Sequence, residues 1–413
     1  LRFFVTAKKT TPRMRYYIIA GEASGDLHGS NLIKELKKRD RTATLRCWGG
    51  DLMQQAGAEL VKHYRELAFM GFTEVIKNLP TILGNLRFCK EDILLFKPDA
   101  LILIDYPGFN LRIAEWAKQQ GFTIIYYISP QVWAWKEGRV RKMKQHIDKM
   151  LVILPFEKDY FRDKWNWEVE YVGHPLVEVI DDFKMQRSQF NGRKPPVPLP
   201  GVEPRITSNE IAGNETAAAL NTRQPTIALL PGSRKQEILK KLPIMLELTR
   251  QFPAYQFVVA KAPGLEDGFY EPLLQPYNNV SSVRNQTYAL LSQSVAALVT
   301  SGTATLETAL FGVPEIVCYK GGNISYQIAK RLIKVKYICL VNLIMDKPVV
   351  KELIQDELTT ENLKRELTGL LTDPERKAAL AADYQALKQL LSLGGNASGN
   401  AAESITRFLS ARQ

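Results

Sequence analysis

Tyr16-Tyr17-Ile18-Ile19-Ala20, followed without interruption by Gly21-Glu22-Ala23-Ser24-Gly25-Asp26-Leu27-His28, reads as a buried strand that ends in a polar turn and opens a helix. Two glycines let backbone approach a bound group. Glu22, Ser24, Asp26 and His28 place ionisable and hydrogen-bonding groups at the carboxyl end of a strand, where open α/β sheets bind ligands. The spacing is not the G-x-G-x-x-G of dinucleotide sites, which removes the usual support for a nicotinamide or flavin, and no other cofactor motif is legible.

Working outward, apolar β-rich runs recur between helical patterns at 99–105, 122–128, 150–155, 226–231, 256–260, 295–300 and 315–319. Such alternation predicts parallel sheets covered by helices on both faces. The chain has 413 residues, past the size at which one core stops growing, so two Rossmann-like halves are expected. They are placed at 14–180 and 226–345, with a linker or insertion at 181–225 around Lys194-Pro195-Pro196-Val197-Pro198-Leu199-Pro200. Residues 1–13 form an N-terminal extension, and helices over 346–413 pack back on the first half.

Hydrophobic residues at 45% and charged residues at 24% describe an ordinary globular chain, and the net charge of +12 favours an anionic partner. No nucleic-acid module is present to claim that charge. The four cysteines are far apart and read as buried thiols of a cytoplasmic protein rather than disulfides or a zinc site. No apolar stretch is long enough to span a bilayer. The absence of His/Cys/Asp/Glu metal motifs points to metal-independent chemistry.

In the second half, Leu230-Pro231-Gly232-Ser233-Arg234 ends a strand in a tight turn with an arginine at its tip, suited to paired hydrogen bonds with a phosphate. Ser301-Gly302-Thr303-Ala304-Thr305-Leu306-Glu307 again follows a strand and opens a helix. Its amides and the hydroxyls of Ser301, Thr303 and Thr305 offer donors to a diphosphate, and Glu307 an acceptor for ribose hydroxyls. Taken singly, each turn is equally an ordinary helix cap; together they argue for a nucleoside diphosphate.

In the first half, Leu101-Ile102-Leu103-Ile104-Asp105-Tyr106-Pro107-Gly108-Phe109-Asn110 ends a very apolar strand in an aspartate. Asp105 is a candidate base toward a sugar hydroxyl in an inter-domain cleft. Asn110 is expected to cap the next helix and so release Asp105. Trp133, in Ser129-Pro130-Gln131-Val132-Trp133-Ala134-Trp135-Lys136, suits a sugar face or an acyl chain, with a core role equally open. His174 joins His28 as a further base. Phe72, Val75, Ile76, Leu79, Ile82, Leu83 and Leu86 form a helical stripe that is either core or a membrane contact. The basic run Lys330 to Lys336 is a solvated face or a contact to anionic lipid.

These motifs, with Pro155-Phe156-Glu157-Lys158, Gly173-His174-Pro175 and Ala329-Lys330-Arg331-Leu332, resemble the lipid-A-disaccharide synthases, a family of two-Rossmann-domain (GT-B type) inverting glycosyltransferases. The resemblance runs from about Arg15 to the end, apart from the 182–224 insertion. It implies transfer of 2,3-diacylglucosamine from UDP-2,3-diacylglucosamine to 2,3-diacylglucosamine 1-phosphate, giving a β-1,6-linked disaccharide 1-phosphate and UDP. It further implies a donor-cleft role for Asn342, no cofactor, attachment to the inner face of the inner membrane, and an architecture that allows a homodimer with an exchanged tail. Many relatives carry a second aspartate where this chain has Gly108. A UDP-sugar 2-epimerase and a non-catalytic nucleotide-sugar or lipid-binding module are the competing readings.

Overall fold

In the computed structural model the described residues are 13–67, 79–134, 136–190, 224–322, 336–392 and 395–412. Most of the N-terminal extension, Phe72 to Ile76 of the apolar stripe, Trp135, most of the Pro-rich insertion, and the basic run up to Val335 lie outside them.

Strands β1 (Arg15–Ala20), β2 (Thr44–Gly49), β3 (Glu59–His63), β4 (Ala100–Ile104), β5 (Ile124–Tyr127), β6 (Lys149–Val152) and β7 (Glu170–Tyr171) form one parallel sheet in the order β3-β2-β1-β4-β5-β6-β7. Strands β8 (Thr226–Leu230), β9 (Gln256–Lys261), β10 (Val280–Arg284), β11 (Ser294–Thr300), β12 (Glu315–Tyr319) and β13 (Lys351–Ile354) form a second, in the order β10-β9-β8-β11-β12-β13. Continuous apolar runs such as Ala100 to Ile104 are buried on both faces because helices cover both sides. In each sheet the strand order reverses once, between β1 and β4 in the first and between β8 and β11 in the second. Ligands bind beyond the carboxyl ends of strands at such a reversal.

Strands β2, β3, β7, β10 and β13 were not legible as apolar runs. Their polar residues are satisfied laterally: Arg46 of β2 donates to Asp92 at 2.7 Å, and Asp92 also accepts the Tyr17 hydroxyl at 2.6 Å. β13 sits in a stretch whose helical patterning masks four strand residues.

The chain divides into two units, one of residues up to Pro175 plus Ser392 onward, the other Leu176–Leu391. The helix Pro175–Phe190 belongs to the second, where Phe183 packs against Tyr288 and Phe311 and Lys184 donates to the Leu310 carbonyl. Helices Thr360–Thr372 and Pro374–Ser392 also stay there. Only the last helix, Ala397–Ser410, joins the first unit. Its Ala401, Ala402, Ile405 and Leu409 enter the core beneath Leu32, Ile33 and Leu36 of the helix Ala23–Arg39, and Asn400 donates to the Val172 carbonyl at 3.1 Å. All four cysteines are free and buried, and no helix among the described residues is long and apolar enough to cross a membrane.

Candidate active site

The first unit carries its ionisable cluster at the β1/β4 reversal. Ala20 pairs with Ile104, so the turn after β1 and the turn after β4 emerge side by side. A Cβ on Gly21 would meet the Tyr106 ring at 2.3 Å, so only glycine admits the second turn so close to the first.

Asp105 and Tyr106 have φ of +42° and +48°, two successive non-glycine residues in the left-handed region. Such strain persists only where the surroundings over-determine it, and it concentrates at functional sites. Here the Tyr126 hydroxyl donates to the Asp105 carbonyl at 2.6 Å, and the Asp105 N–H donates to the Tyr127 carbonyl at 3.2 Å. The wholly buried Asn110 amide donates to the carbonyls of Asp105, Ile104 and Ile19 at 2.8, 3.1 and 3.4 Å. Asn110 is therefore not the helix cap expected from the sequence. The helix begins at Pro107 with Tyr106 in the cap position and no side-chain cap, so Asp105 is spared capping by the turn itself and Asn110 ties two strand ends together. Burial, then the charge of Glu22, push the Asp105 carboxyl up to about 7, against the opposing Tyr106 backbone N–H. That is the range a general base needs near neutral pH.

The other residues of the first motif divide. Glu22 and Ser24 are exposed at the start of the helix Ala23–Arg39, and Glu22 makes no side-chain cap. Asp26 is buried and accepts the backbone N–H groups of Gly50, Met53 and Leu52 at 2.8, 3.0 and 3.2 Å, which caps the short helix Asp51–Gln55 and fixes the β2 turn. Burial pushes His28 down to about 4, and its Nδ1 has no hydrogen-bond partner among the described residues. Burial, then His28, push His174 down to about 3. Both imidazoles are neutral at pH 7 and weakly basic.

Glu157, quoted above only within a motif, is the residue whose part sequence reasoning missed. It is 1% exposed, in the first turn of the helix Pro155–Trp165, and accepts the Trp133 indole N–H at 3.2 Å and the Leu154 N–H at 3.0 Å. Burial pushes its carboxyl up to about 8, with the Asp105 charge acting the same way. Trp133 is held edge-on to Phe156, so its position follows from Glu157. The Glu22 charge thus raises Asp105 and the Asp105 charge raises Glu157, which at about 8 keeps its proton at neutral pH.

In the second unit both predicted turns lie at the β8/β11 reversal. Leu230 pairs with Val299, and a Cβ on Gly232 (φ +111°) would stand 3.5 Å from the Thr300 methyl, so the turns are neighbours. Ser233 and Arg234 are exposed before the helix Lys235–Thr249, and Arg234 makes one loose contact, to Glu237 at 3.4 Å. Gly302 (φ +152°) and Thr303 are exposed at the start of the helix Thr303–Phe311, where free N–H groups favour an anion. Thr305, expected to offer its hydroxyl to a diphosphate, is buried and donates back to the Gly302 carbonyl at 2.8 Å. Ser301 donates to the Ile338 carbonyl at 3.1 Å, and Glu307, half-buried, accepts the Tyr288 hydroxyl at 3.1 Å. Asn342 is buried; its amide donates to the Val350 carbonyl at 2.9 Å and to Glu352 at 3.0 Å. Glu352 also accepts the Ile338 N–H at 3.0 Å, so Asn342 is linked to Ser301 through Glu352 and Ile338 by three hydrogen bonds.

Among the described residues no group of His, Cys, Asp and Glu is arranged to hold a metal ion. One unit thus presents a carboxyl of raised pKa, and the other presents helix-start amides with an exposed arginine.

The sequence profile of the family described as Lipid-A-disaccharide synthetase matches residues 16–194 and 202–406. The lipid-A-disaccharide synthase of Syntrophus aciditrophicus is 38% identical over 94% of this chain and 96% of its own length. That of Coxiella burnetii (strain CbuG_Q212) is 34% identical over 95% and 98%. Among solved structures, the UDP-GlcNAc 2-epimerase from Neisseria meningitidis bound to UDP-GlcNAc superposes with a TM-score of 0.64 at 14% identity, covering 96% of this chain and all of that one. A glycosyltransferase of kitacinnamycin gives 0.60 at 14% identity over 96% and 99%. At such identities these structures establish the two-Rossmann architecture and nothing about substrate. The sequence relatives extend through both sheets, both turns at each reversal and the returning last helix, and the chain belongs to the lipid-A-disaccharide synthase family.

Proposed function

We infer that the chain transfers 2,3-diacylglucosamine from UDP-2,3-diacylglucosamine to the 6-hydroxyl of 2,3-diacylglucosamine 1-phosphate, with Asp105 as the base. Family membership makes it a hexosyltransferase of lipid A biosynthesis. The observation that supports the assignment of the base is Asp105 itself, held in a left-handed turn at the sheet reversal with its carboxyl raised to about 7.

In the step, the acceptor hydroxyl proton passes to the Asp105 carboxylate while the oxygen attacks the anomeric carbon opposite UDP. The bond to the diphosphate oxygen breaks with its electrons, inverting an α donor to a β product. Arg234 and the amides of Gly232, Ser233, Gly302 and Thr303 would receive the departing charge. Glu307 would hold ribose, while Asn342 would support Ser301 through Glu352 and Ile338. Glu22 would tune Asp105, Ser24 and His28 would belong to the acceptor side, Asp26 would support that side by fixing the β2 turn, and Trp133, bonded to Glu157, would offer a ring.

Peripheral attachment to the inner membrane face belongs to the same reading. On the helix Leu79–Phe96, Leu83, Phe88, Leu94 and Leu95 are exposed beside Arg87, with Leu95 81% accessible, whereas Leu86 is in the core. Of the described stripe residues, Leu86 and Ile82 pack in the core and Leu83 is exposed, and Leu83 with its exposed neighbours supports the membrane role.

The test is incubation of purified protein with EDTA, detergent, both substrates and a radiolabelled acceptor, followed by chromatography, beside Asp105→Ala. A disaccharide 1-phosphate made by the parent and reduced by roughly a hundredfold to ten-thousandfold in the variant is expected. Conversion of UDP-N-acetylglucosamine without an acceptor would instead mark an epimerase, which the family assignment disfavours.

A further inference from the structure

In the second unit a pocket of about 540 Å³ is walled by the start of β12, by β13 and by the helices Thr360–Thr372 and Pro374–Ser392. That volume is in the range of cavities that hold small molecules. Glu315 opens β12 and pairs with Ala297, so it stands at the amino edge of the sheet, whereas the turns carrying Gly232 and Gly302 leave the carboxyl edge.

Four acids line the pocket, and three of them are already satisfied. Glu352 accepts the N–H groups of Ile338 and Cys339 and the Asn342 amide, each at 3.0 Å. Glu366 accepts Arg376 at 2.9 Å, and Asp383 accepts Lys347. Glu315 differs. It is 1% exposed, and neither of its carboxyl oxygens has a hydrogen-bond partner among the described residues. The Tyr384 hydroxyl acts on it without a bond of ordinary geometry, and is itself buried and unpartnered. A buried carboxyl left in this state is costly, and in a native protein it calls for an occupant that supplies the missing donors.

The surroundings say what that occupant is. Burial holds the Glu315 carboxyl well above the usual carboxylate range, and no described cation offsets it. Cys318, Cys339 and Tyr384, which feel its charge, are themselves pushed up by burial and so are uncharged near neutral pH. Of the two cations in the wall, Arg376 is held by Glu366 and Lys351 is exposed to water. Four carboxyls against two cations disfavour an anion, and a neutral alcohol would bring one donor to two bare oxygens. A primary ammonium brings three donors and a charge. Val350, Leu370 and Leu380, all buried, give the same pocket an apolar wall for the rest of such a molecule.

We propose that this pocket binds an organic cation, with a primary ammonium on the Glu315 carboxylate and an alkyl body against Val350, Leu370 and Leu380. The site does not depend on the transferase reading. Seating the cation requires Glu315 to ionise, so binding releases the proton that the empty pocket holds, and affinity rises with pH while the amine stays charged.

The probe is n-hexylammonium chloride, titrated into the full chain by calorimetry, with n-hexanol as its uncharged counterpart and Glu315→Gln as the variant. The parent should bind hexylammonium with one-to-one stoichiometry. Hexanol on the parent, and hexylammonium on Glu315→Gln, should each bind about tenfold more weakly or worse, the loss expected for one charge-assisted hydrogen bond. Heats in buffers of different ionisation enthalpy should show roughly one proton released, and Kd should fall from about pH 6 to about pH 8. Proton release is read on the parent alone, so it decides even where the variant does not fold.

Equal affinity of the parent and Glu315→Gln, or of hexylammonium and hexanol, overturns the proposal, as does binding without proton release. Absence of hexylammonium binding up to about 10 mM overturns it too, and assigns the pocket to water bonded to a protonated Glu315.

Discussion

Asp105 carries a carboxyl whose affinity for protons is set mainly by burial and secondarily by Glu22. As the proposed base, Asp105 must be ionised, so kcat/KM should rise with pH through about 7 and level off above it. Glu22→Gln removes a like charge and lowers the Asp105 pKa, which moves that rising limb to lower pH. Because burial is the larger cause, most of the elevation should remain; a pH–rate profile of the two proteins checks both statements. At this scale the place of Asp105 was legible, since an unbroken apolar strand runs straight into it. Glu157 was not. Its bond to Trp133 and the effect of Asp105 on it arise between segments far apart in sequence, and an acid in the first turn of a helix reads locally as a dipole partner. Asp26 shows the same limit, since its cap is given to a helix more than twenty residues away.

Among elements, the decisive junction is the contact of two strand ends through Gly21 and Tyr106. Gly21→Ala would drive a methyl group into the ring at a distance no packing tolerates, so either Tyr106 or the β1 turn must move. We expect a loss of about 1–3 kcal/mol in urea denaturation and a drop in kcat. Gly21→Ala combined with Tyr106→Ala should recover stability but not rate, because the second change frees the space while leaving Asp105 less constrained. The strand–turn–helix units at both reversals were readable because each is local, with apolar strand, turn residues and helix start contiguous in sequence. The edge and polar strands were not, because Arg46 becomes a strand residue only when Asp92 arrives to pair with it. Asn110 was assigned the right helix and the wrong task, since a buried amide reaching three carbonyls cannot be inferred from its position beside a turn.

For the whole molecule, the surface adds what the two sheets do not. Leu83→Ser with Leu95→Ser removes two exposed apolar side chains from one helix, and binding to anionic vesicles should fall about tenfold or more if both insert. Unchanged flotation would remove this helix from the membrane reading. The two-half layout was legible from the spacing of apolar runs, and a return of the C-terminal helices to the first half was expected, but that the final helix makes it without the two before it was not. Ala397–Ser410 is amphipathic like Thr360–Thr372, and the fit of its Ala401, Ala402, Ile405 and Leu409 to the helix Ala23–Arg39 decides where it goes. That return has a consequence in time. During synthesis the first unit emerges early, yet the segment that covers Leu32, Ile33 and Leu36 leaves the ribosome only after all of residues 176–391. The first unit thus waits, with an uncovered apolar face, for the second to be made, and a nascent chain halted near residue 391 would hold one finished unit and one that chaperones must shield.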